Sequence, residues 1–483
     1  MALGYTRLVM RWLLFLLSLT AALGVPCPRL SQDNRAQPAV PQGLETGKLL
    51  PRISCAAHPE QSYALYLPSN YSPEKRWPLV LSSDPGGRGR VALEIQKDAA
   101  ERLGYVLASS NNSRNGPSKP RFEATEATLT DVQTRVSIDT SQVYFAGFSG
   151  GARLSSQIAT VCKCSAGVLL SGAGFTNGLS PSADSVFPVF SAVGTVDFNY
   201  PEMIPLQDSL AEAGYPHWLR VFEGKHEWPP AEVMEEALAW FRIQSMKVGR
   251  DPRDPKFIDA QLTKAQGRAQ ALEKSGELLG AWREYSQMAA TYDSLVDVTA
   301  IHAKVDTLAK DKAVRDAVKR EENEFREQEH ITAAISAGLL APAEATDAQR
   351  EADRDLQDQI VRLRQSAEQE KHPEKARVLK RALDDIFVTI MESGNSFLEQ
   401  KKFPAVIRLY EFAAVAHPDA EWAWEQLAVA RALGGRKKDA ITALRRAHSA
   451  ASDKGSFAKW LQSETAFDTL RSAPDFQDLL KEK

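Results

Sequence analysis

The chain has 483 residues, of which 43% are hydrophobic and 25% are charged, and its formal net charge is -3. This length exceeds what one ordinary hydrophobic core supports, so two or three domains are expected. The small net charge argues against a nucleic-acid-binding protein and against a protein that binds anionic membrane surfaces by charge.

The first element is an apolar stretch behind two basic residues. Arg7 and Arg11 precede an uncharged run over 12–24, shorter than the roughly 20 apolar residues that a membrane-spanning helix needs. The run ends in small side chains, as signal peptidase requires. We therefore predict a signal peptide over 1–24, a spacer over 25–49, and a secreted or periplasmic mature protein without a membrane span. An uncleaved anchor is the alternative.

Short β-rich runs alternate with helical segments between 50 and 247. This alternation predicts βαβ units, and hence a mainly parallel sheet with helices on both faces. Such sheets bind their ligands at the carboxyl ends of the strands. The predicted strands are 63–68, 78–83, 104–110, 143–148, 166–172, 187–194 and 217–224, and the predicted helices include 91–103, 151–161, 205–214 and 230–243.

The pattern changes at 248–256, where two prolines and several charges predict a linker. The remainder, 257–483, is predicted to be all-α. Matching positions such as Leu409 and Leu444 recur with an offset of 35 residues, which resembles tetratricopeptide repeats, paired helices of about 34 residues. A helical half of this kind fits a protein partner, although it could also cap or dimerise the first half.

A serine between glycines follows the predicted strand 143–148. The residues from Gly147 to Gly151 match Gly-x-Ser-x-Gly with Ser149 at the centre, and a predicted helix comes next. Strand, turn and helix in this order are typical of a nucleophile elbow, in which side chains at the glycine positions would collide with the helix. A tight connection without chemistry is the alternative.

A serine nucleophile needs a base, and a histidine supplies it when it follows the serine in the chain order Ser, acid, His. His58 precedes Ser149, and His217 begins a predicted strand. His226 lies just past that strand's end, where a loop can bring its imidazole over the sheet. His226 is therefore the predicted base.

The acid that orients the imidazole should lie at the same edge of the sheet. Asp197 follows a predicted strand directly, whereas Asp184 precedes that strand, Asp208 falls in a helix and Glu202 lies further along the loop. Asp197 is the predicted third member.

An oxyanion hole needs backbone N–H donors. We expect one from Gly150, after the nucleophile, and the other from Gly87 or Arg88, in the glycine-rich loop after strand 78–83. No metal and no organic cofactor is predicted for this chemistry.

The four cysteines also bear on export, since an exported protein can form disulfides. A bridge between Cys162 and Cys164 would close a very tight ring, so we expect one of them to pair with Cys55 or Cys27. Cys27 also suggests a lipoprotein, although Pro26 stands where a small residue is expected.

From about 50 to 245, the chain resembles exported esterases related to polyhydroxybutyrate depolymerases and to feruloyl or acetylxylan esterases, in the α/β-hydrolase superfamily. The matching motifs are 136–139 leading into 143–152, Gly-Thr-Val-Asp at 194–197, and His-Glu-Trp-Pro at 226–229. The resemblance implies that Ser149, Asp197 and His226 form a catalytic triad acting on a small-molecule or polymer ester.

The chain departs from that family in the loop that should bind the oxyanion. The family usually has a His-Gly pair there, and this sequence has Asp84 and Pro85 followed by two glycines. Nearby Arg88 and Arg90 would favour an acidic group on the substrate. Two alternatives to the esterase hypothesis remain: a serine peptidase of the same fold, and a non-catalytic scaffold whose helical half binds a protein.

Overall fold

The computed structural model describes residues 44–481, except 163, 177 and 342–345. The predicted signal peptide and Cys27 lie outside the described residues, as does most of the predicted spacer. The chain forms two compact units, Met1–Lys319 and Arg320–Lys483.

The first unit is built on a sheet of eight strands among the described residues. In chain order they are β1 (Leu49–Ser54), β2 (Ser62–Tyr66), β3 (Trp77–Ser83), β4 (Val106–Ser110), β5 (Ile138–Phe148), β6 (Gly167–Ser171), β7 (Val189–Gly194) and β8 (His217–Phe222). Their spatial order is β1-β2-β4-β3-β5-β6-β7-β8. Only the pairs β1–β2 and β2–β4 are antiparallel, whereas β4, β3, β5, β6, β7 and β8 are mutually parallel.

Helices connect these strands. Within the first unit they are α1 (Gly89–Leu103), α2 (Ser118–Arg135), α3 (Gly150–Cys162), α4 (Tyr200–Met203), α5 (Leu206–Glu212), α6 (Ala231–Lys247), α7 (Pro255–Ser275), α8 (Leu278–Tyr292) and α9 (Thr299–Ala309). The predicted architecture is confirmed: a mainly parallel sheet flanked by helices and followed by a large helical portion. Strand β1 and helix α2 were missed by the sequence prediction.

The central strands owe their position to their apolar sequences. The second half of β5, from Val143 to Phe148, and all of β6 and β7 are buried. Strands covered on both faces have no polar side to present to water, which is why these segments read as continuous apolar runs. Because β5, β7 and β8 are parallel, the residues that follow them meet at one edge of the sheet.

The division between the units differs from the predicted domain boundary. The sequence predicts a linker at 248–256 and a separate helical domain from 257, but α7, α8 and α9 belong to the first unit, which ends at Lys319. Strand β8 is the reason, because it lies at the edge of the sheet, where backbone groups need a cover. Gln287 of α8 accepts a hydrogen bond from the Leu219 N–H of β8.

A network of charges, of which Glu284 is buried and the others are partly buried, further joins these helices to the sheet. Arg220 of β8 contacts Glu236 of α6 at 3.0 Å and Glu284 of α8 at 2.7 Å. Arg268 of α7 contacts the same two carboxylates. Burial raises the pKa of Glu236, and both arginines counteract that rise. Two cations and two anions thus compensate one another at the junction of β8, α6, α7 and α8.

The second unit is helical throughout its described elements. Apart from α10 (Lys312–Leu339), in which the division falls, they are α11 (Asp347–Gln369), α12 (Pro373–Glu399), α13 (Phe403–Ala416), α14 (Glu421–Leu433), α15 (Lys437–Ala450), α16 (Lys454–Ser463) and α17 (Pro474–Lys481). The recurring residues Leu409 and Leu444 are both buried in its core. Short connections between α13, α14 and α15 suit paired helices, and the assignment to tetratricopeptide repeats stays a prediction.

The expected disulfide to Cys55 is wrong. Cys162 and Cys164 are bonded to each other, and Cys55 is buried and forms no disulfide with any described residue. The reason lies in the topology: Cys55 follows edge strand β1, whereas Cys162 ends the helix that follows central strand β5. Burial, and then the charge of Asp131, raises the pKa of the Cys55 thiol to about 11.

No helix among the described residues combines the length and the apolar character needed to cross a bilayer. The same residues contain no cluster of three or more His, Cys, Asp or Glu side chains suited to a metal ion.

Candidate active site

Ser149 stands at a strained turn between β5 and α3. Its φ is +54°, a left-handed conformation that side chains other than glycine rarely adopt. The flanking glycines make the turn possible. A Cβ on Gly147 would lie 2.5 Å from the Ala152 nitrogen, and one on Gly151 would lie 2.7 Å from the Ser83 carbonyl carbon. The Gly-x-Ser-x-Gly pattern therefore has a steric cause here.

The structure brings Ser149, His226 and Asp197 into one hydrogen-bonded chain. His226 Nε2 lies 2.8 Å from Ser149 Oγ, and His226 Nδ1 lies 2.9 Å from both Asp197 carboxylate oxygens. An ionised carboxylate only accepts hydrogen bonds, so Nδ1–H is the donor and Nε2 is left to accept the Ser149 hydroxyl. This tautomer lets the imidazole take the hydroxyl proton.

The three side chains come from the carboxyl ends of three parallel strands. Ser149 follows β5, Asp197 follows β7 and His226 follows β8. Asp197 is fully buried, whereas 17% of the His226 side chain is exposed. A buried anion beside a partly exposed imidazole stabilises the imidazolium that forms when the serine loses its proton.

The lack of a side chain at Gly172 leaves space for the Asp197 and His226 side chains, and the sequence analysis did not identify this residue. A Cβ at this position would lie 2.9 Å from Asp197 Oδ2 and 3.2 Å from His226 Cε1. The backbone there is also left-handed, with φ of +64°. Asn199 completes the support, since its N–H donates to Asp197 Oδ1 at 2.8 Å and its side chain donates to the Gly172 carbonyl at 2.7 Å. The only sequence signal was a glycine directly after an apolar strand.

Aromatic rings enclose the imidazole. The ring centroids of Phe198 and Phe148 lie 4.3 and 4.6 Å from that of His226. Trp228 packs against Phe148 at 5.7 Å. These contacts fix the plane of the imidazole ring.

Gly150 begins α3, so its N–H is among the donors that have no acceptor within the helix. The positive end of the helix dipole lies at the same place and favours negative charge. Arg121 donates to the Gly150 carbonyl, which holds the first turn of α3 in place. The N–H of Gly150 is thus suited to receive an oxyanion formed next to Ser149.

The loop after β3 does not offer its N–H groups in the expected way. The Gly87 N–H donates to the Asp84 carbonyl at 2.9 Å, and the Arg88 N–H donates to Asp84 Oδ1 at 3.3 Å. The Gly86 N–H also binds Asp84 Oδ1, at 2.8 Å. The predicted donors at Gly87 and Arg88 are therefore hydrogen-bonded within their own loop.

Asp84 organises that loop. Its carboxylate is fully buried and pairs with the Arg88 guanidinium at 2.8 and 3.0 Å. Burial by itself would raise the pKa of Asp84, but hydrogen bonds from Arg88, Trp228 and Gly86 outweigh it and hold the pKa below its ordinary value. Arg88 binds Asp84 through Nε and Nη2, while 58% of its side chain is exposed; the binding of an acidic substrate group by Arg88 or Arg90 stays a prediction.

Neither a protein-family model nor a curated protein matches the sequence. Among solved structures, a hyperthermophilic esterase of the archaeon Pyrobaculum calidifontis is similar, with 13% identity, a TM-score of 0.35, and coverage of 42% of this chain and 87% of its own. An S-formylglutathione hydrolase of Staphylococcus aureus has 14% identity, a TM-score of 0.33, and coverage of 41% and 99%. A ferulic acid esterase has 16% identity, a TM-score of 0.32, and coverage of 40% and 96%.

Proposed function

We propose that the first unit is a serine hydrolase that cleaves a carboxylic ester through an acyl-enzyme. The observation that carries this proposal is the chain from Ser149 Oγ through the His226 imidazole to the Asp197 carboxylate, with distances of 2.8 and 2.9 Å. A serine hydroxyl, a correctly oriented base and a buried anion at one edge of a parallel sheet are the groups that acyl transfer needs.

The reaction has two halves. Ser149 Oγ attacks the ester carbonyl carbon while its proton passes to His226 Nε2. The resulting oxyanion accepts a hydrogen bond from the Gly150 N–H. The ester C–O bond then breaks, and the leaving alcohol takes the proton from His226. In the second half, water attacks the acyl carbon while one of its protons passes to His226 Nε2. The bond between Ser149 Oγ and the acyl carbon then breaks, Ser149 Oγ takes the proton back from His226, and the acid leaves.

The experiment is hydrolysis of a panel of aryl and alkyl esters of increasing acyl length by the purified full-length protein. Ser149→Ala and His226→Ala should each lower kcat by about 10⁴-fold or more, as expected when a triad member is removed. The matched controls are Ser141→Ala and His217→Ala. Ser141 is exposed, and the Nδ1 atom of His217 is bonded to the Tyr215 carbonyl.

The outcomes separate the alternatives. Turnover of peptide anilides faster than of the matching esters would favour a serine peptidase. Absence of turnover in the folded wild-type protein on both substrate classes would favour the non-catalytic scaffold, whose helical second unit would then bind a protein partner. Ester turnover that survives Ser149→Ala would overturn the proposal.

We also propose that the protein is exported, to the periplasm or out of the cell. The support is the basic and apolar pattern over residues 1–24. Amino-terminal sequencing of the protein recovered from the exported fraction should give a start close to residue 25. Recovery of the uncut chain in the cytoplasm would contradict export.

A further inference from the structure

We propose that the side-chain amide of Asn115 donates the second hydrogen bond to the oxyanion, beside the N–H of Gly150. This proposal rests on the proposed serine hydrolase function and concerns the same site. It identifies as a catalytic residue a side chain from the segment between β4 and α2.

The first argument is the state of the loop after β3. An oxyanion hole needs two donors aimed at the place where the negative charge develops. The N–H groups of Gly86, Gly87 and Arg88 all bind acceptors of Asp84, and Pro85 has no N–H. With the donors of 86–88 engaged, the second hydrogen bond has to come from another group near Gly150.

The second argument is the position of Asn115. A Cβ built on Gly150 would lie closest to Asn115 Oδ1, 2.6 Å from Asn115 Cγ and 2.7 Å from Asn115 Nδ2. A half-turn of the amide about its terminal bond exchanges the oxygen and the nitrogen, so Nδ2 can occupy the nearer place. The carboxamide thus fills the space that a side chain on residue 150 would take, next to the nucleophile. Glycine at 150 is what permits this close approach.

The third argument is that Asn115 is both anchored and available. Its backbone N–H donates to the Pro85 carbonyl at 2.7 Å, which ties it to the loop after β3. Its side chain is exposed, and it makes no hydrogen bond to any described residue. An amide presents two N–H donors without a formal charge, so Nδ2 can donate to a substrate oxygen without pairing with Asp197.

The test is steady-state kinetics of Asn115→Ala and Asn115→Asp on the best ester from the panel, with Tm measured alongside. Asn115→Ala should lower kcat by about 10²- to 10³-fold, the loss typical for one oxyanion donor. KM and Tm should change little. Asn115→Asp should lose still more, because a carboxylate accepts only and repels the oxyanion. Asn70→Ala, an exposed asparagine remote from the site in the fold, is the matched control.

The possible outcomes distinguish the role of Asn115 from the serine hydrolase function on which it depends. If the wild-type protein hydrolyses esters in a Ser149-dependent way but Asn115→Ala keeps wild-type kcat, Asn115 is not a donor and the hydrolase proposal stands. Equal losses in the alanine and aspartate variants, accompanied by a lowered Tm, would mean a structural role and would also overturn the inference. If the wild-type protein has no turnover, the serine hydrolase proposal fails first and this inference falls with it.

Discussion

The indole Nε1 of Trp228 donates a hydrogen bond to Asp84 Oδ2 at 2.9 Å, joining residues 144 positions apart in the chain. Trp228 lies two residues beyond His226, and Asp84 holds the loop that follows β3. This contact therefore couples the segment that carries the proposed base to the loop beside the proposed oxyanion site.

Trp228→Phe should destabilise the first unit and lower ester turnover. The variant keeps an aromatic ring but leaves a buried carboxylate without one donor, and a hydrogen bond to a charged group contributes about 1.5–3 kcal/mol. Chemical denaturation measures the loss. Trp424→Phe is the matched control, because Trp424 Nε1 donates to an uncharged carbonyl, that of Pro418, and should cost about 0.5–1.5 kcal/mol. Equal losses in both variants would contradict a special role for Asp84.

Gly151→Ala should abolish activity and lower Tm. The added Cβ would lie 2.7 Å from the Ser83 carbonyl carbon, which is backbone and cannot move aside easily. The control is Gly267→Ala in α7, where a Cβ meets nothing within 4 Å. That change should stabilise the protein by about 0.5–1 kcal/mol, since alanine is the better helix former. Thermal unfolding followed by circular dichroism measures both, and an active, stable Gly151→Ala protein would refute the packing argument.

Glu284→Gln should lower the free energy of unfolding by about 2–3 kcal/mol, because it leaves Arg220 and Arg268 sharing one carboxylate. Breaking a fully buried ion pair costs about 3–5 kcal/mol. The expected loss is smaller here because both arginines are partly exposed. The matched control is Glu45→Gln, which breaks an exposed pair with Lys48 worth about 0–1 kcal/mol. Urea titrations of both variants give the comparison. A loss at Glu284 no larger than at Glu45 would mean that the network does not hold α7 and α8 to the sheet.

Cys55 should resist alkylation in the native protein. With a pKa raised to about 11, about one thiol in a thousand is ionised at pH 8, and the thiolate is the reactive form. After mild reduction, iodoacetamide should modify Cys162 and Cys164, while the Cys55 peptide should stay unmodified until urea is added. Peptide mass spectrometry reads out each site. Fast labelling of Cys55 in the folded protein would show that it is not buried.

The fold class could be predicted because the central strands can be recognised as continuous apolar runs in the sequence itself. A strand such as β6 is buried along its whole length and reads as an apolar run whatever its neighbours are. Helix α2 could not be found in this way. Its buried face carries Thr125, Thr128 and Asp131 among apolar residues such as Leu129. These polar positions interrupt the apolar periodicity of an amphipathic helix, and threonine is a weak helix former.

The residues of the site also differ in how far the sequence alone could identify them. Ser149, His226 and Asp197 were selected by chain order and by their places after strands, and the structure brings them together. The sequence did not reveal the roles of Gly172, Asp84 and Asn115, because these roles depend on contacts between segments far apart in the chain. The domain boundary was misplaced for a related reason: only the topology shows that β8 is an edge strand that α8 must cover.

The most direct test of the central claim is to treat the purified full-length protein with a fluorophosphonate probe and locate the adduct by mass spectrometry. An activated serine attacks the phosphorus and becomes covalently modified, whereas ordinary serines do not react. We expect modification at Ser149, loss of labelling in His226→Ala, and normal labelling in His217→Ala. An adduct on another serine, or no adduct on the folded wild-type protein, would contradict the account.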